Sequence, residues 1–383
     1  MEFLGGTFGT ILPFLLVLGV LIFFHELGHY LAARSVGVHV DVFSIGFGRE
    51  VFGWTGRAGT RWKVGWIPLG GYVKLHGHES PDDRAQVVAE AREKGQTPPV
   101  WREGQTFGEK SVGARAWVVA AGPLANFLLA AVLLAGMFMT AGHPDTAPVI
   151  TAVQAESAAE RAGLQPGDRI VAIDGRATPR FEDVQSTVRL RPGQPMALTV
   201  QRDGATLTLP VTPDLRELSD RFGNIQRIGM LGVAGGVPEY RQLDPFAALA
   251  AGAFETVRLT EQTLVALWQM IAGTRGTDEI GGPIRIAQLS GQVAEGGIIP
   301  LIGLMALLSV NLALINLFPI PILDGGHLVM YAYEAVRGRP LPPRAQEYAF
   351  RGGLAILLAI FVLATWNDLT HLRVVDWFSG LIG

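Results

Sequence analysis

The chain has 383 residues, of which 49% are hydrophobic and 17% are charged, and its formal net charge is -3 at pH 7. This composition excludes an ordinary soluble protein, and the length allows several membrane spans plus a folded water-soluble domain. The charge argues against nucleic-acid binding, and the absence of cysteine excludes disulfides and thiolate metal sites.

The first long apolar segment, about residues 10 to 33, contains the sequence HELGH from His25 to His29. Its length predicts a membrane-spanning helix within residues 1–40. Histidines at i and i+4 share one helix face and can reach one metal ion, and Glu26 is then placed to act as a general base on a water there. A bare HExxH also occurs by chance in soluble chains. Three ionisable groups in hydrocarbon are costly unless they have a function, so the segment predicts a metal site.

The segment 41–112 is rich in Lys and Arg. The positive-inside rule places it in the cytoplasm and the N-terminus outside. Residues 1–9 contain no Lys or Arg, so we expect the first helix to be retained and not cleaved as a signal peptide.

Between residues 40 and 75 of this segment, apolar and polar residues alternate and glycines interrupt them. This pattern predicts short strands with tight turns. Residues 63–74 are apolar enough to enter the bilayer interface, and a cytoplasmic hairpin packed on the spans is the open alternative. Residues 79–110 are polar and predict a surface loop or a short helix.

The second apolar segment, within residues 113–142, contains Gly122 and a lone polar residue, Asn126. Small residues permit close helix approach, which favours a packing role for Gly122. Asn126 could serve packing or function, and the sequence leaves both open.

Residues 145–235 have the composition of a water-soluble domain. The run AGLQPGDRIVAIDG (162–175) resembles a PDZ domain, in a single copy. PDZ domains bind extended peptides or C-termini by adding a strand to a sheet edge. We predict a strand at 148–153, a helix at 177–190 and two strands near 196–211, on the outer side of the membrane.

Residues 240–295 follow with apolar positions at helical spacing, interrupted by charges, over 244–272. This pattern predicts an amphipathic helix at the outer interface and not a span. Residues 281–285 predict a turn towards the third span.

The third span is predicted at 298–318, within residues 296–335, and ends in NLFPIPILDGGH (316–327). Two prolines break a helix at membrane depth, which is tolerated where the backbone is buried in protein or faces a cavity. Since no cysteine is present, Asp324 is the predicted third ligand, with a fourth position open for water. His327 is the alternative ligand, but we expect it to make a structural contact.

A fourth span is predicted at 354–366, within residues 352–383, with Trp366, Asp368, Arg373 and Trp377 near the far interface. Spans one and three then run in the same direction, from outside to inside. HELGH and Asp324 should therefore meet at one depth, on the cytoplasmic side of the bilayer centre.

The combination of HELGH, GPLANF (122–127), one PDZ-like domain and NLFPIPILDGG (316–326) resembles the site-2 protease family of intramembrane zinc metalloproteases, in its regulator of sigma-E branch. The resemblance covers nearly the whole chain. It implies that His25, His29 and Asp324 hold zinc and that Glu26 is catalytic. It also implies a membrane-associated β-sheet around 42–75 that pairs with the substrate. The predicted substrate-binding residues are Asn316, Pro319, Pro321, Gly70, Gly71 and Tyr72. Many members of this branch carry two tandem PDZ domains, so substrate gating by a tandem is not inferred here.

The predicted fold is a polytopic α-helical membrane protein of about four transmembrane helices, with a membrane-associated β segment and one inserted extracytoplasmic PDZ domain. The predicted function is hydrolysis of peptide bonds in or near transmembrane segments, with Zn²⁺ as cofactor, in the inner membrane of a bacterium. Expected partners are single-pass membrane proteins already trimmed by another protease (anti-sigma factors or similar signalling proteins, or signal-peptide remnants), a peptide or C-terminus at the PDZ domain, and the lipid bilayer.

Two other functions use the same residues. A metal transporter would repeat acidic and histidine residues along several spans, whereas here they concentrate in one constellation. A non-catalytic PDZ scaffold would have no need of Glu26.

Overall fold

The computed structural model describes residues 2–77, 93, 104–219, 225–273, 276 and 281–371. Most of the predicted polar loop at 79–110 lies outside these residues, as do Arg373 and Trp377. The described chain forms two compact units, one of Met1–Leu133 with Ile286–Leu363 and one of Leu134–Arg285 with Ala364–Gly383.

Four helices of the described chain are long and apolar enough to cross a membrane. They are α1 (Glu2–Ser35), α2 (Val112–Thr140), α7 (Ile298–Leu317) and α9 (Pro343–His371). The first three fit the predicted spans. The predicted fourth span was too short, because the first turns of α9 are polar and carry no apolar signal that would extend it.

The segment after α1 folds into two long strands, β1 (Val40–Thr55) and β2 (Arg61–Leu75). The prediction of several short strands was therefore wrong in length. Register shifts bend both strands, so that residues 42–45 pair with 71–74 on one side and with 61–64 on the other. At Gly46 (φ +85°), a Cβ would lie 2.7 Å from the Ile67 carbonyl oxygen, so this bend depends on glycine.

Within the first unit, α1, α2 and α7 pack through one apolar cluster that includes Val17, Leu129 and Leu301. A second cluster joins the end of α1, the base of the β1–β2 hairpin, α2 and α8 (Asp324–Arg337). It includes Ala33, Val40, Val118 and Tyr331. The first cluster holds the middle of α1 against α2 and α7, and the second holds the end of α1 against α2 and α8.

In the second unit, the predicted PDZ-like domain has its own apolar core, which includes Ile150, Ile170, Val184, Leu198 and Leu231. Its strands and helices are β4 (Ala152–Val153), α3 (Ala158–Arg161), β5 (Arg169–Ile173), β6 (Arg176–Ala177), α4 (Phe181–Arg189), β7 (Met196–Arg202) and β8 (Ala205–Val211). The sheet order is β6-β5-β7-β8. The strand expected at 148–153 is reduced to β4 and one bridge at Val149.

The rest of the second unit holds short strands and a long helix. A hairpin forms from β9 (Asp214–Ser219) and β10 (Ile225–Met230), while β11 (Val233–Ala234) pairs with β4 and β12 (Tyr240–Arg241) pairs with β3 (His143–Pro144). The predicted amphipathic helix is present as α5 (Pro245–Ile271). The Asp244 side chain caps it by accepting hydrogen bonds from the Phe246 and Ala247 amides.

A helix that the sequence prediction missed, α6 (Pro283–Glu295), begins where a simple turn was expected. The Asp368 carboxylate accepts hydrogen bonds from the amides of Gly282, Ile284 and Arg285, at 2.8 to 3.1 Å. These are the backbone donors that a helix N-terminus leaves unsatisfied. The cap comes from a residue more than 80 positions away, which local sequence patterns do not reveal.

Candidate metal centre

The structure brings His25, His29 and Asp324 together. His25 Nε2 and His29 Nε2 lie 3.3 and 3.5 Å from Asp324 Oδ2, and the two nitrogens are 3.3 Å apart. The histidines share a face of α1 because they are four residues apart. All three side chains are largely shielded, with 11 to 17% of their surface exposed.

Asp324 reaches this position because the chain turns sharply between α7 and α8. The amides of Ile320 and Leu323 bond back to the carbonyls of Phe318 and Ile320. Gly325 and Gly326 then pack on the backbone of residues 317–321 so closely that a Cβ at either position would collide with it. Asp324 is therefore the first residue of α8, where the helix dipole favours a carboxylate.

The ligand atoms of these three side chains are arranged as a metal site requires. Asp324 Oδ2 is buried and makes no hydrogen bond within the described chain, although both histidine nitrogens face it. One ligand atom from each of the three side chains lies within 4.8 Å of the others. Two imidazole nitrogens and a carboxylate oxygen are donors that zinc accepts, with a fourth position left for water or substrate. The residues therefore fit zinc.

Helix α2 supports both histidines. The Nδ1 atom of His29 lies 2.9 Å from the Val118 carbonyl oxygen, and the Nδ1 atom of His25 lies 3.3 Å from Asn126 Nδ2. A Cβ at Gly122 would overlap the His29 ring, and one at Gly28 would overlap the Ala121 carbonyl. The packing role expected of Gly122 thus includes contact with a candidate ligand. The signal was Gly122 and Asn126 at i and i+4, on one face of α2.

The model of peptidase family M50 matches residues 13–360. This chain belongs to peptidase family M50. A protein of Agrobacterium fabrum named as a zinc metalloprotease is 45% identical over 95% of this chain and 96% of its own length. One of Rhizobium meliloti with the same description is 43% identical over 97% of each chain. Metalloprotease MmpA of Caulobacter vibrioides is 38% identical over 96% of this chain and 97% of its own.

Among solved structures, the PDZ domain of an SdrC-like protein from Listeria innocua covers 25% of this chain and 99% of its own, at 14% identity and a TM-score of 0.20. That likeness is too distant to assign any detail.

This M50 peptidase is accordingly an intramembrane zinc metalloprotease with several membrane-spanning helices. Zinc is the cofactor of the family. The predicted enzyme class and cofactor are confirmed, and the transporter and scaffold alternatives are set aside.

Glu26 follows His25 directly and is buried, with 8% of its surface exposed. Strand β2 passes next to it: a Cβ at Gly71 would lie 3.0 Å from Glu26 Cγ and 2.7 Å from Ile22 Cγ2. Glycine at this position lets the strand backbone lie directly on the HELGH turn of α1. The structure thus places the β1–β2 hairpin next to the candidate metal centre.

The other predicted residues lie elsewhere or remain untested. His327 is one turn into α8, where its ring contacts Tyr331 and Phe350 at centroid distances of 6.5 and 5.6 Å, and it is not part of the metal-ligand group found in the described chain. Asn316 donates to the Leu312 carbonyl within α7. Pro319 and Pro321 form the turn before Asp324, and Gly70 and Tyr72 lie in β2 on either side of Gly71. Their substrate roles stay predictions.

Proposed function

We propose that His25, His29 and Asp324 are the zinc ligands of this M50 peptidase and that Glu26 is its general base. The observation that carries this proposal is the buried Asp324 Oδ2, which makes no hydrogen bond in the described chain and faces two histidine nitrogens. The buried Glu26 directly follows one of these histidines, His25. Zinc held there supplies a Lewis acid that polarises the scissile carbonyl and activates water. Glu26 takes the proton of the attacking water and passes it to the leaving amine.

The substrate peptide has to be extended before it is cut, since a helical peptide bond is shielded by its own hydrogen bonds. We assign the edge at Gly70, Gly71 and Tyr72 to this task, because an added strand satisfies the backbone groups freed by unwinding. Gly71 and Tyr72 pair with Ile45 and Ser44 through one edge, and the close contact of Gly71 with α1 sets that strand next to Glu26. Asn316, Pro319 and Pro321 are also assigned to substrate binding, because they lie where the chain leaves helical geometry before Asp324.

The exposed side chains of the hairpin support its insertion into the bilayer interface rather than packing in the cytoplasm. Trp66 is 75% exposed and Phe52 is 63% exposed, and neighbouring large apolar residues are exposed as well. Aromatic side chains are stable at the membrane interface. A hairpin inserted there meets the transmembrane segment of a substrate directly.

The basic segment 41–112 supports an orientation in which the metal centre is near the cytoplasmic side and the PDZ-like domain is outside. In that orientation the substrates are single-pass membrane proteins whose outer part has already been trimmed by another protease. Anti-sigma factors and signal-peptide remnants have this form.

The PDZ-like domain is assigned to binding a peptide or C-terminus. A cavity of about 180 Å³ lies between α4 and β10–β11. Its lining includes the apolar residues Phe181, Val184, Val188, Ile228, Met230 and Val233 as well as the polar residues Gln185 and Arg189. This is the kind of groove, between a helix and a strand edge, in which an added strand binds.

The test of the catalytic assignment is Glu26→Gln in the purified full chain, with zinc content and cleavage of a transmembrane substrate measured on one sample. The variant should retain zinc, because it keeps all three ligands, and should lose cleavage. Glu347→Gln, in an exposed ion pair with Arg351, is the matched control and should cleave normally. Substantial turnover by Glu26→Gln would overturn the assignment of the base.

A further inference from the structure

Asn126 lies in the middle of α2 and is completely buried. Its Nδ2 atom is 3.3 Å from His25 Nδ1, while its Oδ1 atom is buried without a hydrogen bond in the described chain. A buried amide is costly unless its polar atoms have partners. Within the described chain, this side chain makes its hydrogen-bond contact with a candidate zinc ligand, which points to a role beyond helix packing.

The role of the Asn126 amide follows from the tautomer that His25 needs in order to bind a metal. A neutral imidazole carries one N–H and one lone pair, so His25 can offer Nε2 to a metal only while Nδ1 holds the proton. A protonated Nδ1 needs an acceptor, and an amide NH₂ group can only donate. A half-turn of the Asn126 amide exchanges Nδ2 with Oδ1, which have nearly the same shape. That half-turn gives Nδ1 an acceptor and leaves the Nε2 lone pair facing the cluster.

His29 shows the same arrangement in a fixed form. Its Nδ1 atom faces the Val118 carbonyl at 2.9 Å, and a carbonyl can only accept. Helix α2 thus supplies one partner for the outer nitrogen of each histidine.

We propose that Asn126 is a positioning residue of the metal centre, whose Oδ1 accepts a hydrogen bond from the Nδ1–H group of His25 and directs the Nε2 lone pair towards zinc. This inference rests on the proposed ligand set. Helix packing alone does not require the amide. Ser309 of α7 bonds to the backbone carbonyl of Asn126, at 2.8 Å, and this contact is independent of the side chain.

The experiment measures the zinc affinity of the detergent-solubilised full chain by competition with a chromophoric chelator, with no dependence on turnover. Asn126→Leu keeps the size of the side chain but removes the acceptor, and should weaken zinc binding about 10- to 100-fold. Asn126→Asp retains an acceptor, as in carboxylate–histidine–zinc arrangements, and should bind zinc within about threefold of the wild type. Ser309→Ala removes only the packing contact and should bind zinc normally.

Unchanged zinc affinity in Asn126→Leu would overturn the inference, and so would an equal loss in Ser309→Ala, which would indicate packing. If Asn126→Leu does not elute as a folded protein from size exclusion, Asn126→Ser replaces it, since serine is too short to reach His25. His25→Ala distinguishes an error in the ligand set from an error in the positioning role of Asn126. If it binds zinc like the wild type, the ligand set itself is wrong. If it loses zinc while the Asn126 variants do not, only the positioning role fails.

Discussion

Asp324 is the residue on which the candidate metal centre depends most, because it is the only carboxylate in the cluster of the described chain. Two neutral imidazoles and one carboxylate leave a single positive charge on bound zinc, which costs less to bury than two. His327 lies three residues further along α8 and contacts Tyr331 and Phe350 instead. Residue type and position both favour Asp324 over His327 as the third ligand.

We expect Asp324→Asn to weaken zinc binding at least about tenfold and to abolish proteolysis, because the amide removes the negative charge. His327→Ala, the matched change in the same helix, should keep zinc and measurable activity. Zinc content after dialysis against a weak chelator and cleavage of a transmembrane substrate are the measurements. Equal zinc loss in both variants, or loss in His327→Ala alone, would show that the third ligand is misassigned.

At the scale of elements, the contact between α1 and α2 brings the two histidines to their partners. Gly28 packs on the Ala121 carbonyl and on Ala125 Cβ, and Gly122 packs on the His29 ring. Without a hydrophobic force between helices in lipid, such small-residue contacts provide much of the packing. They also leave no space for a side chain at either position.

Gly122→Ala should therefore displace His29 and weaken zinc binding at least about tenfold, although alanine is the better helix former. Gly136→Ala is the control, since a Cβ at Gly136 meets nothing within 4 Å in the same helix. Zinc affinity and thermal unfolding of both variants in detergent are the readouts. Normal zinc binding by Gly122→Ala would contradict this close helix contact.

A second element-scale feature is the ion pair between the start of β5 and the end of β7 in the PDZ-like domain. The Asp168 side chain is fully buried and accepts from Arg202 Nε at 2.6 Å and Nη2 at 2.7 Å, and from the Gln165 amide at 2.9 Å. The bonds from the Arg202 guanidinium hold the pKa of Asp168 below its usual range. Since this pKa is lower in the folded state, the stabilisation is complete above the unfolded-state pKa of about 3.9 and is lost as the pH falls through the folded-state value.

Asp168→Asn should destabilise a fragment of residues 145–235 by about 2 kcal/mol at pH 7, and the difference from the wild type should shrink as the pH falls below about 4. Glu217→Gln tests an exposed pair, with Arg227, and should change stability little. Urea unfolding at pH 7 and pH 2.5 measures both variants. If the difference in unfolding free energy between Asp168→Asn and the wild type is the same at pH 2.5 as at pH 7, the role of the ion pair is contradicted.

At the scale of the whole molecule, the described chain combines four helices long and apolar enough to span a membrane with a separately folded domain between the second and third. Because helices α1 and α7 are separated by one span and this domain, the orientation of the first span determines the side on which the domain lies. We expect the Lys and Arg residues of 41–112 to determine that orientation through the positive-inside rule.

The absence of cysteine makes this orientation directly testable. A single cysteine at Gln201, exposed in β7, should react with a membrane-impermeant maleimide in intact spheroplasts. A single cysteine at Arg57, exposed in the turn between β1 and β2, should react only after the membrane is permeabilised. The reverse labelling pattern would invert the proposed topology.

The sequence by itself determined the features that local periodicity and length encode. Apolar runs of about 20 residues identified the first three spans, and the i, i+4 spacing identified His25 and His29 as a pair. The turn residues of 162–175 indicated a separate folded domain, which the structure shows with its own apolar core. Absence of cysteine limited the metal ligands to histidine and carboxylate.

The tertiary structure decided the contacts that join distant parts of the chain. Val118 meets His29 across 89 positions and Asn126 meets His25 across 101, and the cap of α6 comes from Asp368. The contact of Gly71 with Glu26 likewise depends on bends within β1 and β2. Such contacts follow from close packing of whole elements, and no local pattern of residue types records which side chains that packing brings together.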